Sequence, residues 1–383
     1  MTLSARQSIG ILHVVSGDLY AGAERVVEEL AIAQNASIDT KVTVVLFNEG
    51  ELARRLRASG IPIDVYPEVQ YGSLSLLRRL STRAKQTKPD VIHTHRFKEH
   101  ILGSIAAGAC GSASIRTVHG APEYPRNGSL RAQLIEYLDR GAARFLQQRT
   151  VFVSDELRRG QLATSRSATV ILNGIDPDRV EHGSKNEVEP LSGELRVGMF
   201  ARLVPVKRVD VAIEAVAEAR RLSGKAITLH IFGDGPLRDA LKSQARTQAS
   251  LVEVQFHGHT SNALAYMRQM DALLLTSSHE GLPVAVLEAM SLGVAVVATH
   301  SGGLPEVLSG GECGWLVEPK DFRGYANALL SALESTPQRN AKVQQARERV
   351  ATVFSARKMS EQYLDLYRAV LAERTGALAL SAQ

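Results

Sequence analysis

Glu280 and Glu288 stand eight positions apart in LLLTSSHEGLPVAVLE, residues 273–288, where an apolar run, a short polar loop and a helix-forming stretch follow one another. Pro283 predicts a helix that begins at its own position, because the N–H it lacks would be unpaired in a first turn anyway. Glu280 then lies in the loop and Glu288 in the second turn. The backbone N–H groups of Gly281, Leu282 and Val284 around Pro283 point out of the helix N-terminus, which makes an anion site with two carboxylates beside it. Phosphate suits the amides, and ribose or sugar hydroxyls suit the carboxylates. For either acid alone, the plainer alternative is a complement to the helix dipole.

Upstream, MFARLVPVKR (199–208) places Arg202, Lys207 and Arg208 in the loop before a helix that begins near Val209. A diphosphate requires such cations, Arg giving a fork of donors and Lys a point charge, and a solvated basic loop is the alternative. Gly233 in IFGDGP (231–236) and the glycines of SGGLPE (301–306) follow further apolar runs. Each either lets backbone approach a ligand or turns the chain. In the first half, SGDLYAGAE (16–24) precedes a helical stretch over 25–33, but Gly17 and Gly22 are five apart, so the dinucleotide fingerprint is absent. His93 and His95 alternate at a strand end, and without an acidic or Cys partner at ligand spacing a packing role outranks a metal. His119 ends the run 114–118 and precedes Gly120, which hangs its ring beyond a strand, with a structural histidine as the alternative. NGID (173–176) is a turn signal first. The pair Asp176 and Asp178 has no His or further acid grouped with it, so no metal site is expected.

Strand ends must carry these loops. Apolar runs rich in Val and Ile recur at 9–15, 41–47, 91–93, 114–118, 150–153 and 169–172, with helical stretches between them. That alternation predicts a parallel α/β sheet. The polar segment HGSKNEVEPLSGE (182–194) has no apolar period and reads as a domain linker. The pattern restarts at 195–200, 227–232, 252–256, 272–275 and 294–297, separated by helices such as 209–222. A last helical stretch, about 355–371, carries Met359, Tyr363, Leu366, Tyr367 and Val370 at helical spacing and needs a surface, the first domain being the natural one. Ligands bind beyond the carboxyl ends of such strands, and two domains facing one another would form a cleft.

The chain's 383 residues suit two domains, and 44% hydrophobic with 22% charged residues excludes disorder, collagen and coiled coil. Only Cys110 and Cys313 are present, which rules out a disulfide framework and fits a reducing cytoplasm. No signal-peptide h-region opens the sequence. The uncharged run 101–115 is too short to span a bilayer and reads as a buried helix. The net charge of +5 arises in residues 1–180, which hold 23 Lys and Arg against 18 Asp and Glu, while the rest balances at 22 against 22.

The order of these motifs resembles the family-four retaining glycosyltransferases of the GT-B fold, from about residue 11 to 371. HEGLPVAVLEAMSLGVAVVAT holds the E-x7-E pattern in Glu280 and Glu288, and GGLPE follows it. Arg202 and Lys207 match the diphosphate-binding pair, FGDGP with Gly233 matches the nucleotide-side turn, and PDVIHTH, TVHG and NGID stand in the family's order. The resemblance implies that Glu288 holds the donor ribose, that Glu280 and the amides after it face the transferred sugar, and that His119 approaches that sugar and the reacting centre. It also implies a nucleotide-diphosphate sugar donor, retention at the anomeric carbon, and neither metal nor cofactor. One position departs: the paired glycines before Ala-Glu become Ala21-Gly22, which leaves Gly22 and Gly17 to admit phosphate.

The implied architecture is two Rossmann-like domains, 1–185 on the acceptor side and 186–355 for the nucleotide sugar, with a helix at 356–383 returning to the first. No residue reads as a covalent nucleophile, so the leaving diphosphate, held by Arg202 and Lys207, would itself take the acceptor's proton. The acceptor is expected to be a saccharide, lipid-linked or destined for a cell-surface polysaccharide. Residues 78–98 hold Arg78, Arg79, Arg83, Lys85, Lys88, Arg96 and Lys98 against the single acid Asp90, a segment able to rest on the inner, anionic membrane face or to be an ordinary solvated face. Nucleic acid is not expected, since no recognition motif accompanies the modest basic excess. A sugar-nucleotide epimerase and a non-catalytic nucleotide-sugar-binding subunit remain as alternatives.

Overall fold

The computed structural model describes residues 8–120, 130–161, 167–250 and 252–381. The chain divides into two units, residues 1–174 together with 356–383, and residues 175–355.

In the first unit, seven parallel strands are ordered β3-β2-β1-β4-β5-β6-β7. They are β1 (Ile9–Val15), β2 (Thr40–Leu46), β3 (Ile63–Val65), β4 (Val91–Thr94), β5 (Ala113–Val118), β6 (Arg149–Phe152) and β7 (Ala168–Val170). β1, β4 and β5 are buried along nearly their whole length, as strands covered by helices on both faces must be. Leu12, Val14, Val45 and Ile92 pack against Leu76, Leu80 and Ala84 of the helix Ser73–Thr87 and against Leu102 and Ala106 of the helix Phe97–Cys110. The uncharged run 101–115 therefore does not form one helix. Its helix stops at Gly111, which takes a left-handed φ of 79°, and β5 begins two residues later.

The second unit has six parallel strands ordered β10-β9-β8-β11-β12-β13. These are β8 (Leu195–Phe200), β9 (Ile227–Phe232), β10 (Glu253–Gly258), β11 (Ala272–Leu275), β12 (Ala295–Thr299) and β13 (Trp315–Val317). Val211, Ala212, Ala215 and Val216 of the helix Val209–Ser223 join Tyr325, Ala326 and Leu329 of the helix Phe322–Leu333 over this sheet. In both sheets the order reverses beside the first strand, the place where open α/β sheets bind ligands at their carboxyl ends.

The first crossing between units falls at Gly174 and Ile175, eleven residues before the expected boundary at 185. The helix Pro177–Gly183 belongs to the second unit, and the polar segment after it is tied there: Gln269 Oε1 accepts from the Leu191 amide at 2.9 Å, and the Ser192 carbonyl lies 3.1 Å from His230 Nε2. Backbone and amide hydrogen bonds anchor this stretch, so it needs no apolar period and reads as a linker in sequence. The return crossing lies at Ser355 and Ala356, beside the first, since the Ile175 amide donates to the Phe354 carbonyl at 2.8 Å and Ile175 bridges Ser355. The last helix, Ala356–Ser381, then belongs to the first unit, where Met359, Tyr363, Tyr367 and Val370 are buried and Arg368 pairs with Asp39 at 2.6 Å.

Candidate active site

Three loops at the carboxyl ends of β8, β11 and β12 meet in the second unit. The β8 loop runs through a single turn of 3-10 helix, Pro205–Lys207, and Arg208 at φ 46° before the helix Val209–Ser223 starts. The β11 loop is fastened to it: the Ser278 amide donates to the Val206 carbonyl at 2.8 Å, and Thr276 Oγ1 donates to the Arg208 carbonyl at 2.7 Å. The β12 loop closes from the other side, with the Gly303 amide donating to the Glu280 carbonyl at 3.2 Å.

Two glycines make this nesting geometrically feasible. At Gly302, φ is +63° and a Cβ would stand 1.8 Å from the Glu280 carbonyl oxygen; at Gly233, φ is +133° and a Cβ would stand 2.0 Å from the Ala201 oxygen. Loop packing alone thus demands glycine at 233. Gly22 differs, because a Cβ there would meet nothing within 4 Å and its φ is not left-handed. The protein's own packing does not require glycine at that helix start.

Within the nested loops, Lys207 Nζ donates to Glu280 Oε1 at 2.6 Å, and Ser277 Oγ donates to the same oxygen at 2.5 Å. The pair is largely buried, so screening by solvent is weak and the Lys207 charge is held in place. An ammonium has three donors and Glu280 takes one, which leaves Lys207 able to serve a second anion. Arg208 is committed otherwise, its guanidinium gripping the Asp210 carboxylate with contacts of 2.8–3.1 Å. Arg202 stands exposed in the same loop. Pro283 is the residue before the helix rather than its first, with extended φ and ψ of −74° and 120°, and the helix runs Val284–Leu292. Leu282 and Val284 are buried, and Glu288 is 1% exposed in the second turn. Lys207, Glu280, Gly281 and the start of the Glu288 helix are thereby assembled in one unit.

His119 belongs to the other unit. It follows β5 half-buried, with Nε2 3.1 Å from His95 Nδ1, and its own Nδ1 is buried with no hydrogen-bond partner among the described residues. Burial first, and the nearby Arg96 guanidinium second, lower its pKa to about 3, so the ring is neutral. Arg96 in turn contacts Glu24 at 2.6 Å and Asp18 at 3.2 Å, which brings the loop 16–24 beside the end of β4. Gly22 opens the helix Gly22–Asn35 there, and the Ala21 amide donates to Glu24 Oε2 at 3.3 Å, so a residue with no capping side chain still has its amide satisfied.

His93 and His95 gain a partner that sequence spacing does not reveal: ligand atoms of His13, His93 and His95 lie within 4.8 Å of one another. Asp176 caps the helix Pro177–Gly183, its Oδ1 accepting from the amides of Asp178 at 3.0 Å and Arg179 at 3.4 Å, the structural role that its turn sequence predicts. In the basic segment, Arg79 sits 3.9 Å over the Tyr71 ring, Arg83 pairs with Asp64, Arg96 with Glu24 and Asp18, and Lys98 with Glu68. Four of its seven cations therefore have internal partners. Among the described residues, no helix is long and apolar enough to cross a membrane.

The model of the family described as Glycosyltransferase Family 4 matches residues 20–179, and that of Glycosyl transferases group 1 matches residues 184–349. Among curated proteins, the glycogen synthase of Mycobacterium tuberculosis is 26% identical over 301 residues, covering 76% of this chain and 72% of that protein. The Escherichia coli UDP-Gal:alpha-D-GlcNAc-diphosphoundecaprenol alpha-1,3-galactosyltransferase is 26% identical over 384 residues, with coverage of 95% and 98%. Among solved structures, Anabaena HepE in complex with UDP-glucose superposes with a TM-score of 0.76 at 22% identity, covering 96% of this chain and 100% of that one. That likeness concerns the fold, which is GT-B.

Proposed function

The chain belongs to the glycosyltransferases whose two halves these family models describe, and from that premise we propose that it moves a sugar from a nucleotide-diphosphate sugar to a hydroxyl acceptor with retention at the anomeric carbon. The observation that carries the reading is Lys207 bonded to Glu280 at the N-terminal end of the helix that bears Glu288. A diphosphate arriving there draws on Lys207, Arg202 and the amides of Gly281 and Leu282. The buried Glu288 takes the ribose hydroxyls, and Glu280, released in part from Lys207, faces the sugar. Gly22 and His119 of the first unit are assigned to the donor's phosphate and to the transferred sugar.

The proposed chemistry needs little covalent help from the protein. As the glycosidic bond to the diphosphate breaks, negative charge grows on the leaving oxygen, which Arg202 and Lys207 stabilise in place of a metal. That oxygen then accepts the proton of the attacking hydroxyl on the same face of the sugar, and the anomeric configuration is kept. Catalysis is positioning plus fixed charge.

For the donor, the HepE complexes hold UDP and UDP-glucose and the E. coli relative is named for UDP-Gal, which makes uridine nucleotides the first candidates. For the acceptor, the same relative's name specifies a diphosphoundecaprenol-linked saccharide, and a lipid-linked saccharide is inferred here. Membrane contact through residues 78–98 draws less support than this, because only Arg78, Lys85 and Lys88 of its cations show no internal pairing in the contacts just described.

The test is a panel of nucleotide sugars assayed for slow hydrolysis, followed by NMR of the product formed with the best donor. One donor hydrolysed slowly to a sugar that first appears with the donor's anomeric configuration is expected. Conversion of a donor to its epimer would replace the transferase reading, and binding without turnover across the panel would leave a nucleotide-sugar-binding subunit.

A further inference from the structure

Beneath His119 lies a line of hydrogen-bonded side chains that the reaction as described leaves unused. Gln34 Oε1 is 2.8 Å from His13 Nε2, His13 Nδ1 is 3.0 Å from His95 Nε2, and His95 Nδ1 is 3.1 Å from His119 Nε2. Gln34, His13 and His95 are buried. The consecutive rings lie 5.3 and 5.4 Å apart, each pair 29° from parallel.

A neutral imidazole donates from one nitrogen and accepts at the other, so the state of one ring dictates that of the next. Burial lowers the pKa of His13 to about 4 and that of His95 well below its ordinary value, which keeps both neutral. A carbonyl oxygen can only accept. Gln34 Oε1 therefore requires the proton on His13 Nε2, and His13 Nδ1 must be a lone pair. His95 then donates from Nε2 and accepts at Nδ1, and His119 donates from Nε2.

The Gln34 amide is tied to the last helix of the chain. Gln34 Nε2 donates to the Tyr367 hydroxyl at 3.4 Å, and that hydroxyl lies 2.7 Å from His93 Nδ1. His93 Nε2 continues to Thr117 Oγ1 at 2.7 Å, and Thr117 to the Tyr363 hydroxyl at 2.8 Å. Turning the amide over would reverse every link and leave an N–H on His119 Nδ1, the atom buried without a partner among the described residues. An orphaned buried N–H is rarer in proteins than an unused lone pair, so the orientation seen is the better one.

We propose that Gln34, acting through His13 and His95, fixes the tautomer of His119, with Nε2 protonated and Nδ1 a lone pair, and so sets how that ring meets the transferred sugar. The sugar contact rests on the transferase reading above, whereas the tautomer does not. Gln34, His13 and His95 are positioning residues, since none of them is assigned a contact with substrate. The same cluster does not serve as a metal centre on this proposal, because both His93 nitrogens and both His13 nitrogens are already committed to hydrogen bonds.

Histidine-labelled full-length protein at neutral pH tests the tautomer by nitrogen NMR, without any variant. His119 Nδ1 should show the shift of an unprotonated, pyridine-type nitrogen and Nε2 that of a protonated one. Gln34→Met keeps the volume but removes the acceptor, and Tyr367→Phe frees the amide to turn; each should move His119 toward a mixture of tautomers. A proton on Nδ1 in the wild type, or an unchanged tautomer in both variants, overturns the proposal. Equimolar Zn²⁺ that shifts His13, His93 and His95 together also overturns it and makes the cluster a metal site. With the best donor of the panel, Gln34→Met should lower turnover roughly three- to tenfold, the scale of one hydrogen bond, while affinity for the nucleoside diphosphate stays the same. If the tautomer moves and turnover does not, the relay stands and the assignment of His119 to the sugar fails.

Discussion

The two units solve the problem of a buried polar site in opposite ways. In the second, charge is paired with charge: Lys207 and Glu280 face each other at 2.6 Å inside loops stitched by backbone hydrogen bonds. In the first, His13, His93, His95 and His119 are kept neutral, and their ring nitrogens other than His119 Nδ1 are satisfied by one another and by Gln34, Thr117 and Tyr367. An ion pair holds its charge ready for an incoming anion. A neutral histidine network positions one ring sharply and fails when a proton enters it.

Acid is the strongest way to break the contrast. Burial depresses the pKa values of His13, His93, His95, His100 and His119, so below about pH 6.5 the unfolded chain takes up protons that the folded first unit refuses. Their contribution is complete above that pH and lost as pH falls toward about 4 for His13 and about 3 for His119, at up to ~1.4 kcal/mol per histidine per pH unit. Glu99, pushed up to about 7 by burial, works in the other direction, as does Glu24, and together they offset only part of the loss. The first unit should lose on the order of several kcal/mol between pH 7 and 5. Trp315, the single tryptophan, lies in the second unit, where among the described residues two histidines, the buried His230 and the exposed His257, are depressed, against five in the first. Urea titrations should show the circular-dichroism transition separating from the tryptophan transition as pH falls. Coincident transitions at both pH values would refute the contrast.

Removing charge from the second unit comes next in size. Arg202→Ala or Lys207→Ala should lower kcat by about 10², the scale for deleting one group that stabilises charge developing in the transition state. EDTA should leave the wild type active. Loss of activity on chelation with rescue by Mg²⁺ would transfer the charge-stabilising role to a metal. The smallest effect expected is on ground-state binding: Glu288→Ala should weaken affinity for the free nucleoside diphosphate roughly tenfold, near 1.4 kcal/mol, as charge-assisted hydrogen bonds to a diol are lost. Calorimetry with unchanged affinity in a folded variant would remove Glu288 from the ribose site.

The sequence disclosed these two halves unequally, for a physical reason. Strands such as 9–15, 195–200 and 227–232 fall where their Val and Ile runs put them. β3 and β13 are three residues each, too short to show a period, and they went unread. Glu280, Glu288 and Lys207 were legible because a strand, a loop and a helix start in a row specify their surroundings locally. The relay was not. Gln34 and Tyr367 are 333 positions apart, and nothing in either neighbourhood marks it as the partner of a histidine. Their signal, a tyrosine at the helical spacing of an amphipathic C-terminal stretch, reads as ordinary packing. The hydrogen bonding expected of His93 and His95 is present, but their network takes shape only where the sheet sets His13 beside His93 in register.

The return of the chain at Ala356 has a consequence for synthesis. The first unit emerges from the ribosome first, yet the helix carrying Tyr363 and Tyr367 follows about 180 residues later. At 5–20 residues per second that is a wait of roughly 10 to 40 s, during which the His93 and Gln34 side chains have no hydroxyl to bond and the face that will bury Met359 and Val370 stays open. The second unit, whose ends Ile175 and Ser355 pair with each other, is complete before that helix appears. Order of translation is thus inverted in order of folding: the middle of the chain closes first, and the beginning closes on the end. A released chain that ends at residue 355 should accordingly resist protease over the second unit while the first is still cut.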